Sequence, residues 1–273
     1  RQARGPPTRS PGAPPGSIGH QALAVNLSDL AAMGAEAAWA LLSLSMPESD
    51  ELWLEGFAAG FFALADTHGV ELVGGDTVRG PLVVTVEVLG FVDPARALTR
   101  SGARPGDLLY VSGWPGESAA GLAVLQRGGS SDTLDDPLVR RHRYAEPRLA
   151  LGRALGGIAT SAMDVSDGLL GDLGKLCAAS HVGATLELDT LPISAALVSR
   201  HGAQQSEHFV LHGGDDYELL FTLPAGRPVP GGSPTHLLPR ATRIGQITTG
   251  GGVRCMRHGV EVAVSGVGYD HFG

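Results

Sequence analysis

What the chain lacks narrows its chemistry quickly. Its 273 residues hold one lysine, Lys175, beside 19 arginines. A P-loop needs Gly-x-x-x-x-Gly-Lys-Ser/Thr, and Lys175 precedes Leu176 with no glycine at the matching distance. A protein kinase needs a strand lysine beside its nucleotide. Both lysine-based routes to ATP chemistry are closed, and so is a Schiff base at any other position. Cysteine is scarce: Cys177 and Cys255 form no Cys-x-x-Cys, which excludes a disulfide framework and a cysteine zinc site. A reducing, cytoplasmic setting is expected. The histidines form no His-Glu-x-x-His. The longest apolar run, near 56–65, is too short for a bilayer, and the Arg-bearing N-terminus has no apolar stretch of a secretory signal. Positive charge is in deficit, 20 Lys+Arg against 28 Asp+Glu, so no nucleic-acid or anionic-membrane partner is expected.

What is present fits a globular protein. The apolar fraction of 43% supports a core, and the length suits one large domain or two ordinary ones. Glycine, at 40 residues without a Gly-X-Y period, signals many tight loops. Residues 1–19, with five Pro, four Gly and one sizeable aliphatic side chain, Ile18, are expected to be disordered or loosely attached. Helical spacing starts near His20, where Leu23, Leu27, Leu30 and Ala31 form a stripe ended by Gly34. A strand is predicted over 38–45, then a helix capped by Asp50 and closed by Gly69. A short strand over 70–73 should enter a turn at Gly74-Gly75, and 81–92 reads as a long strand. A boundary is expected near 93–98, dividing an N-terminal α/β domain (20–95) from a C-terminal one (96–273). In the second, strands are predicted over 108–112, 185–188 and 217–223. Helices are predicted over 117–127 and 148–155, and a turn at 163–167 opens another, running to Ser180.

Carboxylates gather at awkward places. Asp29 lies among apolar neighbours in Asn-Leu-Ser-Asp-Leu-Ala-Ala-Met-Gly-Ala. Asp76 follows Gly74-Gly75 at the end of a strand, where ligands of α/β proteins collect. Asp164-Val165-Ser166-Asp167-Gly168 precedes an apolar helix. Gly213-Gly214-Asp215-Asp216-Tyr217-Glu218 precedes a strand. Each has a plain alternative: a solvated Asp, an Asx turn, or an N-cap by Ser166 or Asp167. Arg100 is a candidate phosphate clamp or an ordinary surface arginine. Taken together, Asp-rich turns, glycines and an Arg suit phosphoryl transfer, which needs charge neutralisation and alignment more than a covalent catalyst. Magnesium takes few carboxylates and completes its shell with water and phosphate.

NLSDLAAMGA, GGDT, RSGARPGD, DVSDGLLGDL, GGDDYELLF and the closing GYDHF, in that order, resemble the thiamine-monophosphate kinase family of the aminoimidazole-ribonucleotide synthetase superfamily. The resemblance covers nearly the whole chain from about Ile18. It implies a two-domain α/β fold and a homodimer built by pairing N-terminal sheets. It also implies direct in-line transfer of a phosphoryl group from ATP to thiamine monophosphate, giving thiamine diphosphate. By motif, Asp29, Asp76, Asp164 and Asp167 would hold several Mg²⁺ ions. Gly75, Asp76, Arg100 and Ser166 would contact ATP. Asp215, where the family usually has Glu, and Tyr269 would contact the thiamine substrate. The family's GDDAA segment and its Thr-Asp pair are not found at the front, so the expectation is a truncated or frame-shifted reading frame. The alternative function is a nucleotide- or thiamine-phosphate-binding homologue without turnover.

Overall fold

The computed structural model describes residues 13–127, 135–230 and 239–264. Helix α1 (Pro15–Ala32) is followed by β1 (Glu36–Met46), α2 (Glu51–His68), β2 (Glu71–Arg79) and β3 (Val83–Phe91). The three strands form one sheet in the order β2-β1-β3, with β1 parallel to β2 and antiparallel to β3. Burial alternates along β1: Ala40, Leu44 and Met46 face the core, while Trp39 and Ser43 face outward. Leu23 and Leu27 of α1 join Phe57 and Phe61 of α2 in that core.

A second sheet follows. Its elements are β4 (Leu108–Ser112), α3 (Glu117–Gln126), α4 (Pro137–Arg143), α5 (Leu149–Leu155), β5 (Ser161–Asp164), α6 (Leu169–Ser180), β6 (Gly183–Glu187), α7 (Ala195–His212), β7 (Leu219–Leu223), β8 (Ala241–Thr248), β9 (Gly252–Arg257) and β10 (Val260–Val262). The described strands run in the order β10-β9-β6-β8-β4-β7-β5. Neighbours are antiparallel except β6 and β9, which are parallel. β7 is buried along its whole length. The two-domain, mixed α/β architecture expected from the sequence is present. Among the described residues no helix is long and apolar enough to cross a membrane. Cys177 and Cys255 are free and buried.

Helix α1 joins the two halves. Its flanks pack without side chains at three points. A Cβ on Gly60 of α2 would lie 1.8 Å from the Gly16 carbonyl oxygen, and one on Gly19 would lie 2.0 Å from that of Phe57. On the other side, a Cβ on Gly152 of α5 would lie 1.9 Å from the Ala31 carbonyl oxygen. The same core takes in Leu149, Leu151 and Leu155 of α5 and Leu219 and Phe221 of β7. α1 is thus wedged between the small sheet and the edge of the large one.

Several expectations need correction. Residues 15–19 are the first turns of α1, with Ser17 and Gly19 buried, so the loose segment does not extend that far; 1–12 lie outside the described residues. Glycines that look like loop composition are there because two helices cross at backbone distance. Gly74-Gly75 is no turn: β2 runs through it, with a bulge opposite Ala40 and Leu41. Met163 and Asp164 belong to β5 rather than to a turn, and the last predicted strand starts at Leu219. Helices α4 and α7 were not expected. The Asp50 and Gly69 caps of α2 are as expected, with Asp50 accepting from Trp53 N at 3.0 Å and Gly69 at φ 66°.

The crossing generates a stability prediction. Gly60→Ala should lower unfolding free energy by about 3 kcal/mol, since backbone is all a Cβ could displace. Gly174→Ala on α6, where a Cβ meets nothing within 4 Å, should be neutral or gain up to about 1 kcal/mol. Urea unfolding of both variants is the check; equal effects would contradict the packing argument.

Candidate active site

The site is built around the turn between β5 and α6. Asp164 ends β5, and Gly168, at φ 111°, is the N-cap of α6. Neither Ser166 nor Asp167 holds the cap position of this helix. The polar work is done from inside the helix by Asp172, a residue the sequence reading missed. Its fully buried carboxylate accepts from Ser166 N and Asp167 N, both at 2.9 Å, through one oxygen. Its other oxygen accepts from Lys175 Nζ at 2.7 Å. Lys175 Nζ also donates to Asp167 Oδ2. Burial works against the Lys175 charge, but the two carboxylates outweigh it and hold the proton more firmly than usual. The missed signal was a charged residue, Asp172, on the Leu169–Leu173–Leu176 stripe.

The loop 213–218 is laced to this turn through backbone. Asp215 N donates to Ser166 O and Tyr217 N to Val165 O, each at 2.9 Å, and Val165 N donates to Glu218 O at 2.8 Å. A Cβ on Gly214 would lie 2.6 Å from the Ser166 carbonyl oxygen, so only glycine allows this approach. Asp215 and Tyr217 have φ of 62° and 55°, a left-handed conformation that a bulky Tyr seldom adopts. Tyr217 donates its hydroxyl to Asp215 Oδ1 at 3.0 Å. Burial, then the Asp215 charge, keep the phenol protonated far above neutral pH.

The other two carboxylates of that loop turn inward. Buried Asp216 accepts from Gly116 N at 2.6 Å and Ser118 N at 3.2 Å, at the start of α3. Burial pushes its pKa up to about 8 against these bonds and the Arg141 charge. Glu218 is fully buried and accepts from Arg148 Nε at 2.8 Å, Ser112 Oγ at 2.5 Å and Arg141. Burial alone would raise its pKa; Arg141 and Arg148 outweigh it and hold it below the ordinary value. These four groups were not read from the sequence as a unit, because they come from β4, α4, the start of α5 and the loop just before β7.

Helix α1 brings the third component. Ser28 Oγ donates to Asp164 Oδ2 at 2.9 Å. Asp164 is pushed up to about 6, by burial first and then by the neighbouring Asp29 charge, with the Ser28 bond opposing. The structure therefore brings together Asp29, Asp164, Ser166, Asp167 and Asp215. Arg100 is exposed in a segment along the free edge of β5: Thr99 O accepts from Ala162 N at 3.0 Å, and Arg100 O from Ser180 Oγ at 2.9 Å. Asp76 and Gly75 lie elsewhere, on β2. Asp76 is exposed and pairs across with Ser43, on the sheet face away from the helices. Tyr269 lies outside the described residues.

Among the described residues no group of three or more His, Cys, Asp or Glu could hold a metal ion by itself. Asp29 and Asp164 nevertheless fit a hard divalent cation. They are oxygen donors whose mutual repulsion already disturbs the Asp164 proton, and such a cation needs few protein ligands when phosphate supplies others.

Two sheets joined by α1, with Asp-rich turns at the join, define an AIR synthase-like protein. Residues 5–92 match the family described as AIR synthase related protein, N-terminal domain, and residues 104–257 its C-terminal domain. Within that class the chain belongs to the thiamine-monophosphate kinase family. It is 48% identical over 262 residues to the thiamine-monophosphate kinase of Escherichia coli K12, covering 94% of this chain and 81% of that protein. The crystal structure of thiamine-monophosphate kinase from Stenotrophomonas maltophilia K279a superposes with TM-score 0.82 at 45% identity, covering 88% of this chain and 78% of that one. A structure of AaThiL complexed with AMPPCP and TMP superposes with TM-score 0.84 at 32% identity, covering 96% and 82%.

The Glu218 network offers a test independent of ligands. Glu218→Gln leaves two nearly buried guanidinium groups short of a counter-charge and should cost about 3–5 kcal/mol in urea unfolding. Glu146→Gln, at a side chain 68% exposed that also meets Arg148, should cost well under about 1 kcal/mol. Similar losses would show that Glu218 is not the keystone of the loop.

Proposed function

We propose that this chain transfers the terminal phosphoryl group of ATP to thiamine monophosphate, giving thiamine diphosphate, by direct in-line displacement. The observation that carries the reading is the bond from Asp215 N to Ser166 O. It fixes the loop proposed to hold the acceptor against the turn proposed to hold the nucleotide, so two substrates bound there would meet end to end. Magnesium, when bound with ATP, would neutralise the phosphate oxygens on which charge develops. Asp29, Asp164 and Asp167 would supply protein oxygens to several such ions, with phosphate and water completing each shell. Ser166 would donate to the nucleotide and Arg100 would approach its phosphates from the β5 edge. Gly75 and Asp76 would contribute to ATP and metal from the small sheet. Asp215 would receive the thiamine moiety, a task for which Tyr217 orients its carboxylate, with Tyr269 as a second contact.

The small sheet also supports the homodimer. Directly opposed residues share a face. Trp39 with Leu89, and Ser45 with Val78 and Val83, set an apolar surface on the side away from the helices. The exposed side chains there include Val78 at 52% and Trp39 at 39%. A second copy pairing through it would also cover Asp76, which sits in the same face, and a carboxylate withdrawn from bulk water binds a cation more strongly.

Two experiments test these readings. A coupled ADP-release assay with ATP, Mg²⁺ and thiamine monophosphate should show turnover that depends on the acceptor and falls on the order of a hundredfold in Asp167→Asn. Binding of both substrates without turnover would favour the inactive homologue. In sedimentation equilibrium the chain should run as a dimer and Leu89→Arg as a folded monomer; a monomeric wild-type chain would count against the interface.

A further inference from the structure

The single lysine of the chain stands where a cation is wanted. Lys175 lies one turn of α6 after Asp172, and long helical side chains lean toward the helix N-terminus. Its amine therefore reaches back over the Ser166–Asp167 turn. Asp172 grips it at 2.7 Å, and Asp167 accepts a second bond from the same nitrogen. The two carboxylates differ in what they can do next. Asp172 is fully buried and tied to two backbone N–H groups at 2.9 Å, so it cannot follow a ligand outward. The Asp167 side chain is 27% exposed and the Lys175 side chain 44%, so this bond opens to solvent without disturbing the core.

We infer that Lys175 is a built-in counter-cation that competes with the divalent metal for Asp167. It rests on the reading of Asp167 as a metal ligand. Without nucleotide, Asp29 and Asp164 repel each other at the β5 end of the turn, and at its other end the ammonium offsets Asp167. When a divalent cation arrives with its phosphates, Asp167 exchanges one cation for another, and Lys175 stays behind on Asp172. Nothing covalent changes: one ion pair is replaced by a metal–oxygen contact. The competition weakens metal binding by the strength of a partly exposed ion pair, which corresponds to about fivefold in affinity.

The test is direct because the chain has one lysine. Mn²⁺ binding is measured from the free Mn²⁺ signal in electron paramagnetic resonance, in the presence of a non-hydrolysable ATP analogue, for wild type, Lys175→Met and Lys175→Arg. The Met variant should bind Mn²⁺ about fivefold more tightly, and the Arg variant should stay within about twofold of wild type. In protein labelled with ¹³Cε-lysine, the single side-chain resonance of wild type should move on Mg²⁺ addition, with the midpoint of metal binding. That second measurement needs no variant to fold. Equal or weaker Mn²⁺ binding by Lys175→Met, or a lysine resonance that stays put at saturating Mg²⁺, overturns the inference while leaving the metal site intact. Wild-type protein that binds no Mn²⁺ at all overturns the metal-ligand reading, and the inference with it.

Discussion

Everything at the site depends on how closely α1 can approach its neighbours. Ser28 must come within 2.9 Å of Asp164, yet Asp164 belongs to a strand of the other sheet. A helix carrying ordinary side chains on both flanks would stand 8–10 Å from its partners. Glycines at Gly19, Gly60 and Gly152 remove the atoms that would hold it away. Lost side-chain burial at these points is offset by Leu23 and Leu27, which are fully buried between them. The same helix thus serves as the centre of the first core and as the arm that places Ser28 and Asp29.

A second constraint acts through the loop 213–218. Its three carboxylates have three different fates within four residues. Asp216 turns onto the N–H groups at the start of α3, and Glu218 onto Arg141, Arg148 and Ser112. With its neighbours anchored on either side, Asp215 is left beside the site in a left-handed conformation. Backbone strain of this sort persists only where the surroundings over-determine it. Here the N–H groups of both strained residues are taken by carbonyls of the facing turn. Rigidity of this loop is produced by buried charge rather than by apolar packing.

Much of this was legible in the sequence, and the residues show why. Asp50 and Gly69 bound α2 because cap chemistry is local and needs only neighbours along the chain. Leu108–Ser112 reads as a strand because a short apolar run between turn residues has few other solutions. The Asp-rich turns stood out because a carboxylate next to an apolar run requires an explanation. What could not be read was set by distant partners. Pro15–Gly19 resembles linker composition until Gly60 is seen against Gly16. Gly74-Gly75 has the composition of a turn, but Gly75 faces the Leu42 backbone, where a Cβ would lie 1.8 Å from its carbonyl oxygen. The Glu218 network joins residues up to 106 positions apart, and no spacing rule connects them. Asp76 was grouped with the other carboxylates by motif, whereas the fold sets it on the open face of the small sheet.

The electrostatics of the turn then follow from placing acids before their counter-ion. Asp164 is raised to about 6 by burial and by Asp29, so near neutral pH its ionised form is kept at a cost of a few kcal/mol. A cation bound between the two carboxylates would remove that cost, and its binding energy would include the repulsion it relieves. Lys175 does the same for Asp167 in advance, with a single charge on a flexible stem. The two halves of the turn therefore differ: one acid pair is held in tension, the other acid is already satisfied. On the proposed reading a phosphate chain approaching with its metal would be drawn first to the Asp29–Asp164 pair, where repulsion is relieved. On the same reading Asp167 would be engaged only as Lys175 yields, so the order in which ligands close around the phosphates would follow from which carboxylate already holds the ammonium.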